Sequence, residues 1–353
     1  MTKIYTAAVI GLSAEIGQER PKLLANLPWS KPIPRSHVAA YETHPRTELM
    51  AVCDLMPNAL ALFEKQWRDD LPKTRTYTHY PEMIAECKPD MLSVVTPDDK
   101  HADIVVYAAE HGVRAIFCEK PIATTLADAD RMIAACAAHG TLLAINHTRR
   151  YGTIFQSVRA MLREGTFGKL HAIYSHMNLL RAMLFRNGTH FIDMMCFLAD
   201  APVQWLSAEL ESGFETLTQY AGDGGRNPAS EPAGHAYFHF ANGVRGTLNL
   251  NKVRNTRSYF ELVCDDAIIE VDDKSVHIVR STAGGNYSRE QLALPRYQTE
   301  YETAALSELV YMLDNKMTNP QFIQSNGSTA RHTLAIMLAM LTSNAEGNRL
   351  VAL

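Results

Sequence analysis

The chain has 353 residues, of which 46% are apolar and 20% charged, a balance that excludes wholesale disorder and leaves enough apolar side chains for a sizeable core. Its 34 Lys and Arg against 38 Asp and Glu give a net charge of −4, so no general affinity for polyanions is implied and a nucleic-acid binder is disfavoured. At about 150 residues per domain, this length suits two domains.

The first half alternates short apolar runs with helical patterns. Runs at residues 5–10, 48–54, 91–96, 114–118 and 141–146 have the length and continuous apolarity of strands buried on both faces. Between them, residues 58–67, 101–111 and 126–139 repeat apolar side chains at helical spacing, and Pro81 opens a further short helix. Gly112 and Gly140 stand just past two helix ends, where a left-handed cap costs least. This grammar predicts an α/β domain over 1–150, a doubly wound parallel sheet of the Rossmann type. An excursion over about 18–36, with Pro21, Pro28, Trp29, Pro32 and Pro34, interrupts the first strand-to-helix connection, and helical sequence resumes at His37. A lid, an oligomer contact and a partner surface all remain open for it.

After Tyr151 the pattern changes. Strands are predicted at 170–176, 204–210, 235–240, 244–250, 259–263, 268–271 and 276–279, with a helix over 189–198. Asn242-Gly243 signals a hairpin, because this pair readily supplies positive φ. Residues 221–232, rich in Gly, Asp and Pro, read as a surface loop, and two helices near 300–315 and 328–344 end the chain. The expectation for 151–353 is an α+β domain with a mostly antiparallel sheet that carries the C-terminal helices.

Six cysteines are scattered with no gap shorter than 18 residues, which offers no zinc-ligand pair and suits a reducing compartment. No HExxH-type spacing appears either, so no metal is expected. The apolar run over 4–14 reads as a first strand rather than a signal peptide, and no stretch reaches the ~18 apolar residues of a membrane span. The expected compartment is the cytoplasm.

Ligands of open α/β sheets sit outside the carboxyl ends of the strands. Here those ends carry Gly11-Leu12-Ser13, Asp54, Thr96-Pro97, Glu119-Lys120-Pro121 and Asn146. A dinucleotide fingerprint would place Gly at 13 and 16, but Ser13 and Ile16 stand there and Gly17 comes one residue late, so only Gly11 is in register. Asp54 has two readings, a carboxylate for the ribose hydroxyls of an adenine nucleotide or a cap on the helix that follows Pro57. A carboxylate there repels a 2′-phosphate and Leu55-Met56 offer no cation, which favours NAD over NADP. Lys120 leaves a buried strand beside Glu119, with Pro121 turning the chain. This would place an ammonium in a cleft to polarise a substrate hydroxyl, unless Glu119 and Lys120 are merely a surface ion pair.

The ordered set of motifs over nearly the whole chain resembles the Gfo/Idh/MocA oxidoreductase family. It runs through His37-Val38-Ala39-Ala40-Tyr41, Ala51-Val52-Cys53-Asp54, Thr96-Pro97, His101, 112–121 ending in Glu119-Lys120-Pro121, 146–151, 165–170 and 188–193. The resemblance implies an NAD(P)-dependent dehydrogenase or reductase acting on a sugar, polyol or derivative, with 151–353 as a substrate-binding domain whose open, mostly antiparallel sheet supports homodimers or homotetramers. The charge balance and the lack of a span add the expectation of no nucleic-acid or membrane partner. It implies Lys120 as the cleft lysine and His190 as the acid/base, a residue type whose ordinary pKa lies near neutrality. Without the resemblance, His190 reads as a buried helix histidine. Asp193, three positions on, shares its helix face. Cofactor contacts are expected from Gly11, Leu12, Ser13, Asp54, Thr96, Pro97, His101, Glu119 and Lys120. Substrate contacts are expected from Asp193, Arg150, Arg186, and from His176 and Asn178, which alternate onto one strand face. Arg149 stands beside Arg150 near the cleft in the family pattern, and both have a bland alternative in an interdomain ion pair. Many family members carry Asp four residues before the histidine where this chain has Arg186. Either another carboxylate partners His190, or Arg186 pairs an anionic substrate. Two competing functions are a redox-neutral NAD-dependent hydrolase or lyase, and a non-catalytic sensor of nucleotide or sugar.

Overall fold

The computed structural model describes residues 3–20, 34, 36–222, 227–254, 256–294 and 301–353. It divides into two compact units, one of Met1–Tyr151 with Gln298–Ser328, the other of Gly152–Tyr297 with Thr329–Leu353.

The first unit holds strands β1 (Tyr5–Ile10), β2 (Thr47–Cys53), β3 (Arg75–Tyr77), β4 (Met91–Val94), β5 (Ala115–Cys118) and β6 (Leu142–Ile145). Helices α1 (Glu15–Gln18), α2 (His37–Thr43), α3 (Pro57–Trp67), α4 (Tyr80–Cys87), α5 (His101–Glu110) and α6 (Leu126–His139) alternate with them. The strands are all parallel in the order β3-β2-β1-β4-β5-β6, the doubly wound arrangement expected. Ser36 and Thr125 cap α2 and α6 by accepting from the amides of Ala39 and Asp128. Gly112 and Gly140 take φ of +84° and +67° past their helices. β3 escaped the sequence because its three residues are all at least partly exposed and show no apolar run.

The excursion falls mostly on residues 21–33 and 35, which lie outside the described residues. Its two ends meet, since Ser36 Oγ donates to Glu19 O at 2.7 Å. The crossover from β1 to β2 is therefore one helical connection split into α1 and α2.

The second unit contains α7 (Thr153–Arg163), β7 (Leu170–Asn178), α8 (Thr189–Ala199), β8 (Val203–Leu210), β9 (Gly234–Phe240), β10 (Arg245–Asn251), β11 (Tyr259–Cys264), β12 (Ile268–Val271), β13 (Val276–Ser281) and β14 (Tyr287–Gln291). The chain ends with α9 (Tyr301–Asp314), α10 (Gly327–Ala345) and β15 (Val351–Ala352). A nine-stranded sheet runs β14-β13-β12-β11-β7-β10-β9-β8-β15, antiparallel throughout except between β7 and β10. The β9–β10 hairpin turns at Asn242-Gly243 with Gly243 at φ +85°. β14 is exposed at every position and so carries no alternating pattern to read.

One face of this sheet packs on α8. Phe260 of β11 stacks on Phe191 at 4.8 Å and meets Phe155 of α7 edge-on at 5.8 Å. Met337 and Met340 of α10 are fully buried, as expected of core residues. The sequence assigned both terminal helices to the second domain. In the structure α9 belongs to the first unit, where Leu306, Leu309 and Leu313 join Val38, Tyr41 and Val9 in its core. Amphipathicity shows that a helix has an apolar face but not which sheet it covers.

Candidate functional site

The carboxyl edge of the parallel sheet gathers most of the expected cofactor residues. At the end of β1, Gly11 takes φ +96°, and a Cβ there would lie 2.4 Å from Val95 O, so only glycine fits. Gly17, out of register in the sequence, meets the need for close packing. Its Cβ would stand 2.7 Å from Gly11 O, so it lets α1 lie directly on the turn, the service of the third fingerprint glycine. Asp54 Oδ2 accepts from Leu12 N at 2.7 Å and Ser13 Oγ at 2.9 Å, while Oδ1 accepts from Met56 N at 2.8 Å. Asp54 thus both braces the β1 turn and folds back on the start of α3. A carboxylate has about four acceptor positions, so it keeps capacity for a ribose hydroxyl. Thr96, after β4, has a buried Oγ1 with no partner. A buried hydroxyl left orphaned is costly, and a ligand that bonds it removes the cost. These features fit an adenine dinucleotide at this edge.

Two residues expected to touch cofactor have a different place. His101 is fully buried, with Nε2 at 3.1 Å from Thr96 O and Nδ1 at 3.0 Å from Pro121 O. Backbone carbonyls face both ring nitrogens, and the one that carries the hydrogen donates, so His101 packs between the end of β4 and the turn after β5. Glu119 points inward. Its Oε1 lies 3.2 Å from His37 Nε2 and 2.5 Å from Asn146 Nδ2, and its Oε2 accepts from Lys120 N at 3.2 Å. Burial alone would raise this carboxyl, but the His37 hydrogen bond, the Lys120 charge and Asn146 outweigh it and hold Glu119 well below the usual carboxylate range. With Glu119 and Lys120 only 5% and 7% exposed, the surface ion pair is excluded.

His37, Ser93, Asn146 and Glu302 had no assigned role in the sequence. His37 Nδ1 is 2.8 Å from Ser93 Oγ, which donates to Tyr41 OH at 3.1 Å. Burial pushes the Glu302 carboxyl of α9 up to about 7, with His37 and Asn146 partly offsetting it and Glu119 adding to it. Single polar residues in apolar runs were the available signal. Their convergence needed α9 placed on this unit. Arg150, in a short 3₁₀ turn at Thr148–Tyr151, is 5% exposed and donates to Gln324 O at 2.9 Å.

In the second unit, a π-helical turn at Leu184–Gly188 carries Arg186 and runs into α8 with His190 and Asp193. Gly188 N reaches Met183 O at 2.8 Å, and the amides of Phe185 and Arg186 donate to Glu231 Oε2 at 2.8 and 3.0 Å. A buried carboxylate therefore anchors the turn from another segment. Asp193 is buried and accepts from Thr333 Oγ1 of α10 at 3.4 Å.

His176 and Asn178 do not join this group. His176 stacks on Tyr259 at 4.8 Å, and Asn178 bonds Arg257 O and Asn251. Phe260, the next residue along β11, packs on α8, so Tyr259 and His176 lie on the opposite, open face of the sheet. The period-2 pattern correctly paired the two residues with one another but could not show which face α8 covers. Burial lowers the His176 pKa, with Arg257 acting in the same direction.

Among the described residues no cluster of His, Cys, Asp or Glu could hold a metal ion, and no helix is long and apolar enough to cross a membrane.

Comparison with known proteins places this architecture. Residues 33–147 match the model of an oxidoreductase family with an NAD-binding Rossmann fold, and residues 155–270 match the GFO/IDH/MocA C-terminal domain, together about two thirds of the chain. A D-apiose dehydrogenase of Paraburkholderia graminis is 32% identical over 134 residues, 38% of this chain and 34% of that protein. A 2,7-anhydro-N-acetylneuraminate hydratase of Mediterraneibacter gnavus is 36% identical over 87 residues, 25% of this chain and 22% of that protein. The matches thus span about a third or less of those relatives' lengths. The WlbA dehydrogenase of Bordetella pertussis, solved with NADH and UDP-GlcNAcA, shares the fold over 99% of both chains, with a TM-score of 0.71 at 18% identity. The chain belongs to the Gfo/Idh/MocA oxidoreductase family, with an NAD-binding Rossmann unit followed by that family's C-terminal domain.

Proposed function

We propose that this protein transfers a hydride between NAD(H) and the secondary alcohol or ketone of a sugar, polyol or sugar derivative. The carrying observation is the carboxyl edge of the parallel sheet, where the Gly11 turn, the braced Asp54, the orphaned Thr96 hydroxyl and the buried Lys120 are assembled. When bound there, NAD(H) supplies or accepts the hydride at its nicotinamide ring. Asp54 accepts from the ribose, and Thr96 Oγ1 gains a partner. Lys120 holds and polarises the substrate hydroxyl, and His190 takes its proton during oxidation or returns it during reduction. Asp193, Arg150 and Arg186 contribute substrate contacts, with Arg186 suited to an acid sugar or sugar phosphate.

NAD is preferred over NADP in this reading. A 2′-phosphate would meet the Asp54 carboxylate, and the neighbouring Leu55 and Met56, 76% and 54% exposed, offer no cation. Two or four copies assemble through the open face of the nine-stranded sheet, where Tyr174 and Tyr237 are 38% and 37% exposed. Six free cysteines support a reducing cytoplasm.

The test is calorimetric titration with NADH and NADPH after bound nucleotide has been stripped. Tighter NADH binding is expected and justifies screening sugars and sugar acids for turnover. Tighter NADPH binding refutes the cofactor preference, and binding of neither refutes the dehydrogenase. Turnover that releases a leaving group without net NADH would move the reading to a redox-neutral lyase.

A further inference from the structure

The geometry points to His37 and Asn146 as positioning residues for Lys120, acting through the Glu119 carboxylate. The inference rests on the reading of Lys120 as the substrate-facing amine.

The sheet continues for one residue beyond β5, because Glu119 N donates to Val94 O and Asn146 N donates to Cys118 O, both at 2.8 Å. This fixes the Glu119 backbone. Its side chain, 5% exposed, is held by donors from three directions: His37 of α2 and Asn146 after β6 on Oε1, and the amide of Lys120 on Oε2. A carboxylate can only accept, so His37 Nε2 carries the hydrogen toward it. The ring is fixed at its far side by Ser93, which is tied to Tyr41. His37 also lies against Phe117 with ring centroids 4.7 Å apart, so the imidazole has one orientation. Glu302 of α9 and the buried Cys118 thiol also interact electrostatically with Glu119.

A buried carboxylate with this set of donors stays charged and stationary, and it sits one residue from Lys120 with a bond to the Lys120 amide. Glu119 therefore does two things for Lys120. It fixes the peptide from which the side chain departs, and it supplies a counter-charge that holds the amine as an ammonium. With His37 or Asn146 removed, Glu119 keeps fewer donors in a buried site, its neutral form gains, and Lys120 loses that counter-charge.

The test reads Lys120 directly in the full-length protein. Protein made with lysine isotopically labelled at the ε-carbon is titrated by NMR, and Lys120→Arg identifies the signal. Glu119→Gln and His37→Phe are each expected to lower the Lys120 titration midpoint by about one pH unit, a tenfold fall in proton affinity. The double variant should fall no further than Glu119→Gln alone, because both act through one carboxylate. His37→Gln, which keeps an N–H donor, should restore part of the midpoint. If His37→Phe does not fold, Asn146→Ser removes the second donor to the same oxygen and carries the same expectation. A cluster that only stabilises the core would lower the unfolding midpoint and leave the Lys120 titration where it was. An unchanged midpoint in Glu119→Gln, or additive shifts in the double variant, overturns the inference. The titration needs neither nucleotide nor substrate. NADH titration of the same wild-type sample tests the functional reading separately.

Discussion

Replacing Glu302 with Gln should remove about half of the stability loss that buried carboxyls of α9 give the first unit between pH 5 and 8. Glu302 is 3% exposed, and burial pushes its carboxyl from an ordinary 4.5 to about 7. At 1.36 kcal/mol per unit this corresponds to about 3 kcal/mol. The sign follows from proton counting. Between these values the unfolded chain has released the proton and the folded chain keeps it, so the folded state binds more protons. Stability is then greatest below 4.5, falls as pH rises, and levels off above about 7. Glu308 of α9, also pushed to about 7 by burial despite donors from Gln324 and Tyr151, adds a parallel loss that the Glu302 variant keeps. The quantity to measure is the stability difference between Glu302→Gln and wild type at the two pH values, in which pH-independent effects of the amide cancel. It should move by about 3 kcal/mol in favour of the variant from pH 5 to pH 8. Urea unfolding in a Trp205→Phe background leaves tryptophans only in the first unit, where fully buried Trp67 reports its loss, and so avoids treating two units as one transition. A difference that stays the same at both pH values would refute the argument, since Glu302 would then be ionised throughout.

Gly11→Ala should destabilise the first unit by several kcal/mol, as the Cβ would stand 2.4 Å from Val95 O and the backbone holds φ +96°; urea midpoints check this, and NADH affinity should fall in the same variant. Thr96→Val should leave stability unchanged or raise it by about 1 kcal/mol, because the hydroxyl has no partner, while weakening NADH binding several-fold in calorimetry. Phe260→Ala should cost the second unit about 3–5 kcal/mol by removing the ring packed between Phe191 and Phe155, read through Trp205 fluorescence. Arg186→Ala should raise KM for acid sugars or sugar phosphates without changing it for neutral sugars; an unchanged KM for the anions removes the anionic-substrate reading.

Within the site, legibility followed the range of the interactions. Gly11, Asp54 and Lys120 stand at the ends of apolar runs, and strand ends are where an open α/β sheet presents its ligand-facing residues, so local pattern sufficed to mark them. Gly17 looked misplaced because the fingerprint assumes an unbroken turn, whereas its actual service is a 2.7 Å approach to Gly11 O that only coordinates reveal. Glu119 was marked by its position, like Lys120, and His101 by the resemblance, yet their side chains turn inward to His37, Asn146 and backbone carbonyls. His176 and Asn178 show the limit of period-2 reasoning. It groups residues by face and leaves open which face a helix will cover.

By itself, the sequence determined the α/β-then-antiparallel order of elements, the caps and hairpin at Gly140 and Asn242-Gly243, and the set of polar residues at strand ends. These depend on backbone conformation and on side-chain periodicity, which are properties of a few consecutive residues. Only the tertiary structure decided that α9 joins the first unit, that α8 covers the face opposite His176, and that His37, Glu119, Asn146 and Glu302 meet around one carboxylate. Each depends on which apolar surfaces bury one another between segments far apart along the chain. Burial then gives a histidine or a glutamate a partner, a charge state and a role that its neighbours in sequence do not specify.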